Sequence, residues 1–168
     1  MASFASILAR ERGATSGWIP PNPVDYSLDE SPNWEAPTLR DFTRKLGYDD
    51  DVRWEELSDS ERRWIARHFA WAPSSDPSDY TFSDLKLPHH RPGGTLVWGG
   101  VRAAASRLPQ TDISEADKDR VRRHLERHYR EFGKTPPWSE DAAIQETLEE
   151  RQEAAPTLEV NMDELVAN

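Results

Sequence analysis

The sequence predicts a mainly α-helical protein. It reads as a small helical domain, a capped helix plus a helical hairpin, with an extended proline-rich N-terminal arm and an acidic C-terminal arm. Three observations carry this. Apolar residues recur at helical spacing in short segments that open on capping residues and close on glycine or proline. Thirteen prolines against eight glycines concentrate between residues 20–37 and 73–92, where they exclude helix interiors and central strands. Only 36% of the 168 residues are apolar while 31% are charged, which suits one modest core with long flanks.

Taken in order, residues 3–12 place Phe4, Ile7 and Leu8 on one side and stop at Gly13, the pattern of a short amphipathic helix. Residues 14–37 have no period but space Trp18, Tyr26 and Trp34 along an extended arm. Thr38 then caps a helix that carries Leu39, Phe42 and Leu46, with Asp41 at the capping-box position and Gly47 as its stop. Ser58 and Glu61 form a second capping box, preceded by Leu57 as a staple. It opens a helix over about 59–69 whose apolar face is Trp64, Ile65, His68 and Phe69. Residues 73–79 read as a loop and 88–94 as a glycine-rich turn. A helix over 98–108 follows, built on Val101, Ala104, Ala105 and Leu108 and ended by Pro109. Ser114 caps the next helix, in which Val121, Leu125, His128, Tyr129 and Phe132 recur until Gly133 and Pro136. About six residues join these last two helices, so they fold back as an antiparallel hairpin. The expected divisions are 1–53, an N-terminal arm with short helices; 54–138, the helical module; and 139–168, an acidic helix and tail.

Seven tryptophans are many for this length, and each can bury about 150–250 Å², so aromatic anchors compensate for few aliphatics. The absence of cysteine excludes disulfides, thiolate zinc sites and a cysteine nucleophile. No apolar run approaches the roughly 20 residues of a membrane span, and the N-terminus lacks a secretory core. A soluble protein made in a cytoplasm, without a membrane partner, is the expectation. Net charge is −10 but unevenly spread: residues 139–168 hold nine acids and one base, whereas residues 85–134 hold eleven bases and six acids. A basic module is followed by an acidic arm.

The module carries a recognisable order of motifs. Asp84-Leu85-Lys86-Leu87-Pro88-His89-His90 leads into a Gly-Gly loop and Leu96-Val97-Trp98-Gly99-Gly100-Val101-Arg102. These are followed by His124-Leu125-Glu126-Arg127-His128-Tyr129-Arg130-Glu131 and Lys134-Thr135-Pro136-Pro137. Together with the Trp54-to-Arg62 helix start, this pattern resembles a small helical module of tailed-phage head genes, found beside or fused to prohead proteases, scaffolds or capsid proteins. The resemblance covers roughly 54–138. It implies a virion-assembly setting, the host cytoplasm during assembly and then the virion, with a capsid, scaffold or protease partner.

Four histidines are the first candidates for chemistry. His124 and His128 share a helix face, and the turn can bring His89 and His90 near them, so a histidine metal site is conceivable. The reading preferred from sequence is structural, with imidazoles packed partly inside and His124 and His128 bonded to the backbone of the 88–94 turn. No metal and no cofactor are assigned. A serine protease would need one of Ser83, Ser106 or Ser114 beside a histidine on a strand-rich scaffold, and loop, helix surface and cap explain these serines instead. Nucleic-acid binding would use Arg102, Arg107, Lys118, Arg120, Arg122, Arg123, Arg127 and Arg130, with Trp98 or Tyr129 stacking on bases. Against it stand intrahelical pairs such as Arg123 with Glu126 and Arg127 with Glu131. In the acidic arm, a helix over about 140–153 precedes Leu158, Val160 and Met162, which alternate, and Leu165 and Val166 complete an apolar docking segment. The expected function is therefore non-enzymatic, a head-assembly or virion-associated protein acting through protein contacts. A small nucleic-acid-binding protein or a metal-dependent accessory enzyme is the alternative, and oligomeric state is left open.

Overall fold

The computed structural model describes residues 16–139. The helices expected over 3–12 and 140–153, and the docking residues Leu158, Val160, Met162, Leu165 and Val166, lie outside the described residues. Within them the protein is mainly helical, with α1 (Leu39–Lys45), α2 (Asp59–Ala66), α3 (Trp98–Arg107) and α4 (Glu115–Glu131).

The caps form where the side chains demand them. Thr38 accepts from the Asp41 amide at 3.2 Å and Asp41 reaches back to the Thr38 amide at 2.8 Å. Ser58 and Glu61 do the same at 3.1 and 2.9 Å, so each box satisfies two otherwise orphaned donors. Ser114 accepts from the Asp117 amide at 3.1 Å, but the Asp117 carboxylate turns inward. Gly47 at φ 102° and Gly133 at φ 67° close α1 and α4 in the left-handed conformation.

One boundary differs from expectation. Helix α2 stops at Ala66, and Phe69–Trp71 becomes strand β2, antiparallel to β3 (Lys86–Pro88) with Phe69 opposite Pro88 and Trp71 opposite Lys86. (Strand β1 lies earlier in the chain, at Leu28–Asp29.) Aromatic residues meeting a partner strand favour the extended form over one more helical turn. Within the expected loop, Pro77–Asp79 forms a 3-10 turn capped by Asp76. A further strand, β4 (Leu96–Val97), runs parallel to β1 and bridges His90.

Two apolar clusters result. One joins Leu87, Leu96, Val101, Leu108, Val121, Leu125 and Tyr129 around the α3–α4 hairpin. The other joins Phe42, Trp54, Leu57, Ile65, Phe69 and Tyr80 around α1 and α2, so Phe42, placed in the N-terminal division by sequence, packs with the module. The arm is bound to both. Trp18 pairs with Ala72 in both directions at 2.7 and 2.9 Å, and β1 lies along β4. A Cβ on Gly99 would sit 2.4 Å from the Pro32 carbonyl oxygen, so glycine there is what lets the arm cross the start of α3.

Candidate functional site

Between the two clusters lies a seam of imidazoles. All five histidines of the chain are inside it, His68, His89, His90 and His128 at 0% exposure and His124 at 8%. His68 leaves the end of α2 and packs on Phe42 and Trp64 at ring separations of 4.9 and 4.7 Å. His90 is next, 6.2 Å from His68 and 5.4 Å from His128. His89 lies 4.6 Å from His90, 5.2 Å from His124 and 5.1 Å from His128. Strand pairing positions the turn that carries two of them, because the His89 amide donates to the His68 carbonyl at 3.1 Å and its own carbonyl accepts from Val97 at 3.3 Å.

The protonation pattern follows from the partners. A carbonyl or carboxylate only accepts, so the ring nitrogen facing it carries the proton. His68 Nδ1 faces Trp64 O at 2.9 Å, His89 Nδ1 faces Leu87 O at 3.0 Å and His90 Nδ1 faces Gly94 O at 2.6 Å. His128 Nδ1 donates to Glu131 Oε1 at 2.8 Å. In each neutral ring the Nε2 is then a bare lone pair. Those of His68 and His90 meet no partner although they are buried, and that of His89 lies 3.2 Å from Nε2 of His124. Burial pushes every one of these groups below the ordinary imidazole value: His68 to about 4, His90 and His124 to about 3, His89 well below. His128 is lowered as well, by burial against the pull of Glu131.

Leu87 contributes strain to this arrangement. It is buried at 7% exposure with φ 63°, a left-handed conformation that costs a non-glycine residue about 1–2 kcal/mol. The Leu87 carbonyl that fixes the His89 tautomer belongs to this strained residue.

The arm covers the seam. Asn22 Oδ1 lies 3.1 Å from His128 Nε2. Tyr26 donates to Glu131 at 2.8 Å and meets His90 and His128 edge-on, and burial, with Glu131, raises its hydroxyl pKa. A second junction fastens the arm's beginning. Asp117, 1% exposed, accepts from the Gly17 amide at 2.7 Å and from Trp71 Nε1 at 3.0 Å, and pairs with Arg120 at 3.0 Å. Burial alone would raise its carboxyl; Trp71, Gly17 and Arg120 outweigh that and hold it below the usual carboxylate range.

The structure therefore gathers His89, His124 and His128, whose ligand nitrogens lie within 4.8 Å of one another, and keeps His90 adjacent. It corrects one detail: His89 bonds the Leu87 carbonyl in β3 and His90 the Gly94 carbonyl of the turn, whereas His124 faces His89 and His128 faces Glu131 and Asn22. The anticipated pairs also rearrange. Glu126 accepts from Trp138 and Glu131 from Tyr26 and His128, while the observed ion pairs of α4 are Lys118 with Glu115, Arg120 with Asp117 and Arg122 with Asp119. Arg102, Arg107, Arg123, Arg127 and Arg130 are exposed. Tyr129, at 5% exposure, is core rather than a stacking surface, and Trp98 packs on Tyr129 and Phe132 with Lys134 over its ring.

Sequence reasoning missed His68, Asn22, Tyr26 and Glu131 as parts of this centre. The readable signal was the placing of His124 and His128 within the buried stripe of Val121, Leu125 and Tyr129, positions where a solvated imidazole has no reason to stand. The chain matches no family model, no curated protein and no solved structure. No helix of the described residues is long and apolar enough to cross a membrane.

Proposed function

We propose that the chain is a non-enzymatic assembly protein of tailed-phage heads, working by protein contact with a capsid, scaffold or maturation-protease partner in the host cytoplasm and carried into the virion. The observation that supports contact as its mode of action is the way the module holds an extended segment. Residues 17–31 lie along it by backbone pairing of Trp18 with Ala72 and of β1 with β4, with Tyr26 as a side-chain anchor. This is recognition of an extended peptide by edge addition, in which the backbone supplies affinity and alternate side chains supply specificity. Leu158, Val160 and Met162, with Leu165 and Val166, offer a partner a segment of the same kind. The motif order from Asp84 to Pro137 supplies the phage-head setting.

The test is co-purification of the full chain with the capsid, scaffold and protease proteins of one head locus. Deletion of residues 157–168 is expected to reduce association at least about 10-fold, the loss of roughly 1.4 kcal/mol or more of contact energy, with far-UV circular dichroism unchanged. Undiminished association refutes tail docking, and absence of the chain from both complexes and purified particles refutes the assembly role.

A nucleic-acid reading has one observation in its favour. Arg123, Arg127 and Arg130 fall on one stripe of α4, exposed and with no ion pair to a described residue. Salt-sensitive binding to duplex DNA without any capsid protein would support it.

A further inference from the structure

We infer that His89, His124 and His128 are the ligands of one structural transition-metal ion of the zinc type, buried where the arm, the β3 turn and α4 meet. Independent features of the geometry converge on this.

The spacing fits. Two nitrogens on one tetrahedral zinc, each bound at about 2.05 Å, stand roughly 3.3 Å apart; His89 Nε2 and His124 Nε2 are 3.2 Å apart, and the three ligand nitrogens span no more than 4.8 Å. Asn22 Oδ1, 3.1 Å from His128 Nε2, stands as a fourth donor. That is again close to a tetrahedral edge.

The outer contacts fit as well. Metal-bound imidazoles use their second nitrogen to donate to a carbonyl or carboxylate, which fixes the ring and leaves the other lone pair for the metal. His89 donates to Leu87 O and His128 to Glu131. Glu131, which also accepts from Tyr26, places a negative charge one bond from the centre and offsets the dication; the exposed Arg127 is the opposing charge. Two bare Nε2 lone pairs facing each other repel unless a proton or a cation lies between them. The competing arrangement is a single proton on His124 Nε2, donated to His89.

Ligand type and burial define the ion and its role. Three imidazoles without thiolate suit zinc, cobalt, nickel or copper rather than magnesium or calcium. Ligands exposed by 0–8% leave no approach for a substrate, so the ion acts as a clamp acquired on folding. It would tie Asn22 of the arm to α4 and to the turn after β3.

The experiment is titration of the chelator-treated full chain with zinc chloride, followed by calorimetry, thermal melting and histidine side-chain nitrogen NMR. The expected result is one saturable equivalent, a rise in Tm of about 5 °C or more at a hundredfold excess over Kd, and movement of three of the five imidazole Nε2 resonances. Cobalt should give a tetrahedral visible spectrum. H124N is expected to lose the tight equivalent, and because the NMR readout is made on the unaltered chain, a folding failure of that variant leaves the result intact. Absence of saturable binding, or binding that leaves those resonances unmoved and so lies elsewhere, overturns the assignment in favour of the shared proton.

Discussion

His68 shows how much a single buried imidazole carries here. Its Nδ1–H is held by the carbonyl of Trp64, its ring packs on Phe42, and its Nε2 has no partner. Unfolded, it titrates near 6.5; folded, burial holds it at about 4. Between these values the unfolded chain binds a proton that the folded protein refuses. The stability it contributes is thus fully present above pH 6.5 and falls as the pH drops, by about 1.4 kcal/mol per pH unit, levelling off near the folded value. In urea titrations of metal-free protein at pH 7, 6 and 5, H68Q is expected to show a shallower loss of stability than the unaltered chain, by about that slope. Equal slopes in the two proteins would show that His68 is not held neutral. The same residue also shows what sequence leaves open: it read as part of the apolar face of a helix over 59–69, but the helix ends at Ala66 and His68 stands beyond it, at one end of a five-histidine seam.

Among the elements, the arm and α4 depend on one carboxylate. Asp117 binds the Gly17 amide, Trp71 Nε1 and Arg120, and Arg120 also donates to the Gly17 carbonyl at 2.8 Å. Removing it leaves the buried Gly17 amide and the half-buried Trp71 Nε1–H without an acceptor and a half-buried guanidinium without its pair, a loss of about 3 kcal/mol by the usual cost of breaking such networks. D117A is expected to lower the urea unfolding free energy by that order and to open the chain near Gly17 to limited proteolysis, while α4 keeps its far-UV signal because Ser114 still caps it. A loss under about 0.5 kcal/mol, the scale of an ordinary surface substitution, would mean that the junction is not holding the arm. Sequence supplied the Ser114 cap but not the direction of the Asp117 carboxylate three residues on. Whether an acidic side chain at the third helical position turns back to its cap or inward to a distant amide is settled by what packs against it. Here that is Trp71 and Gly17, 46 and 100 residues away in the chain.

For the whole molecule, the two apolar clusters share the histidine seam and the arm that crosses it. Trp18 packs with one cluster and Tyr26 with the other, so neither can separate without breaking contacts of the other. Thermal or urea unfolding is therefore expected to be a single transition, with tryptophan fluorescence and far-UV circular dichroism coincident. Two separated transitions would show that the clusters are independent units.

By itself the sequence determined the mainly helical class, the starts of α1, α2 and α4 at Thr38, Ser58 and Ser114, and the glycine stops at Gly47 and Gly133. All of these are decided by contacts within a few residues, between a side chain and the backbone beside it. The tertiary structure decided the rest. It ended α2 at Ala66 because Phe69–Trp71 found a partner in Lys86–Pro88. It also brought His89 to within 3.2 Å of His124, 35 residues on. Such contacts depend on how helices and an extended arm close over one another, and chain closure is indifferent to residue type until the packed neighbours are in place.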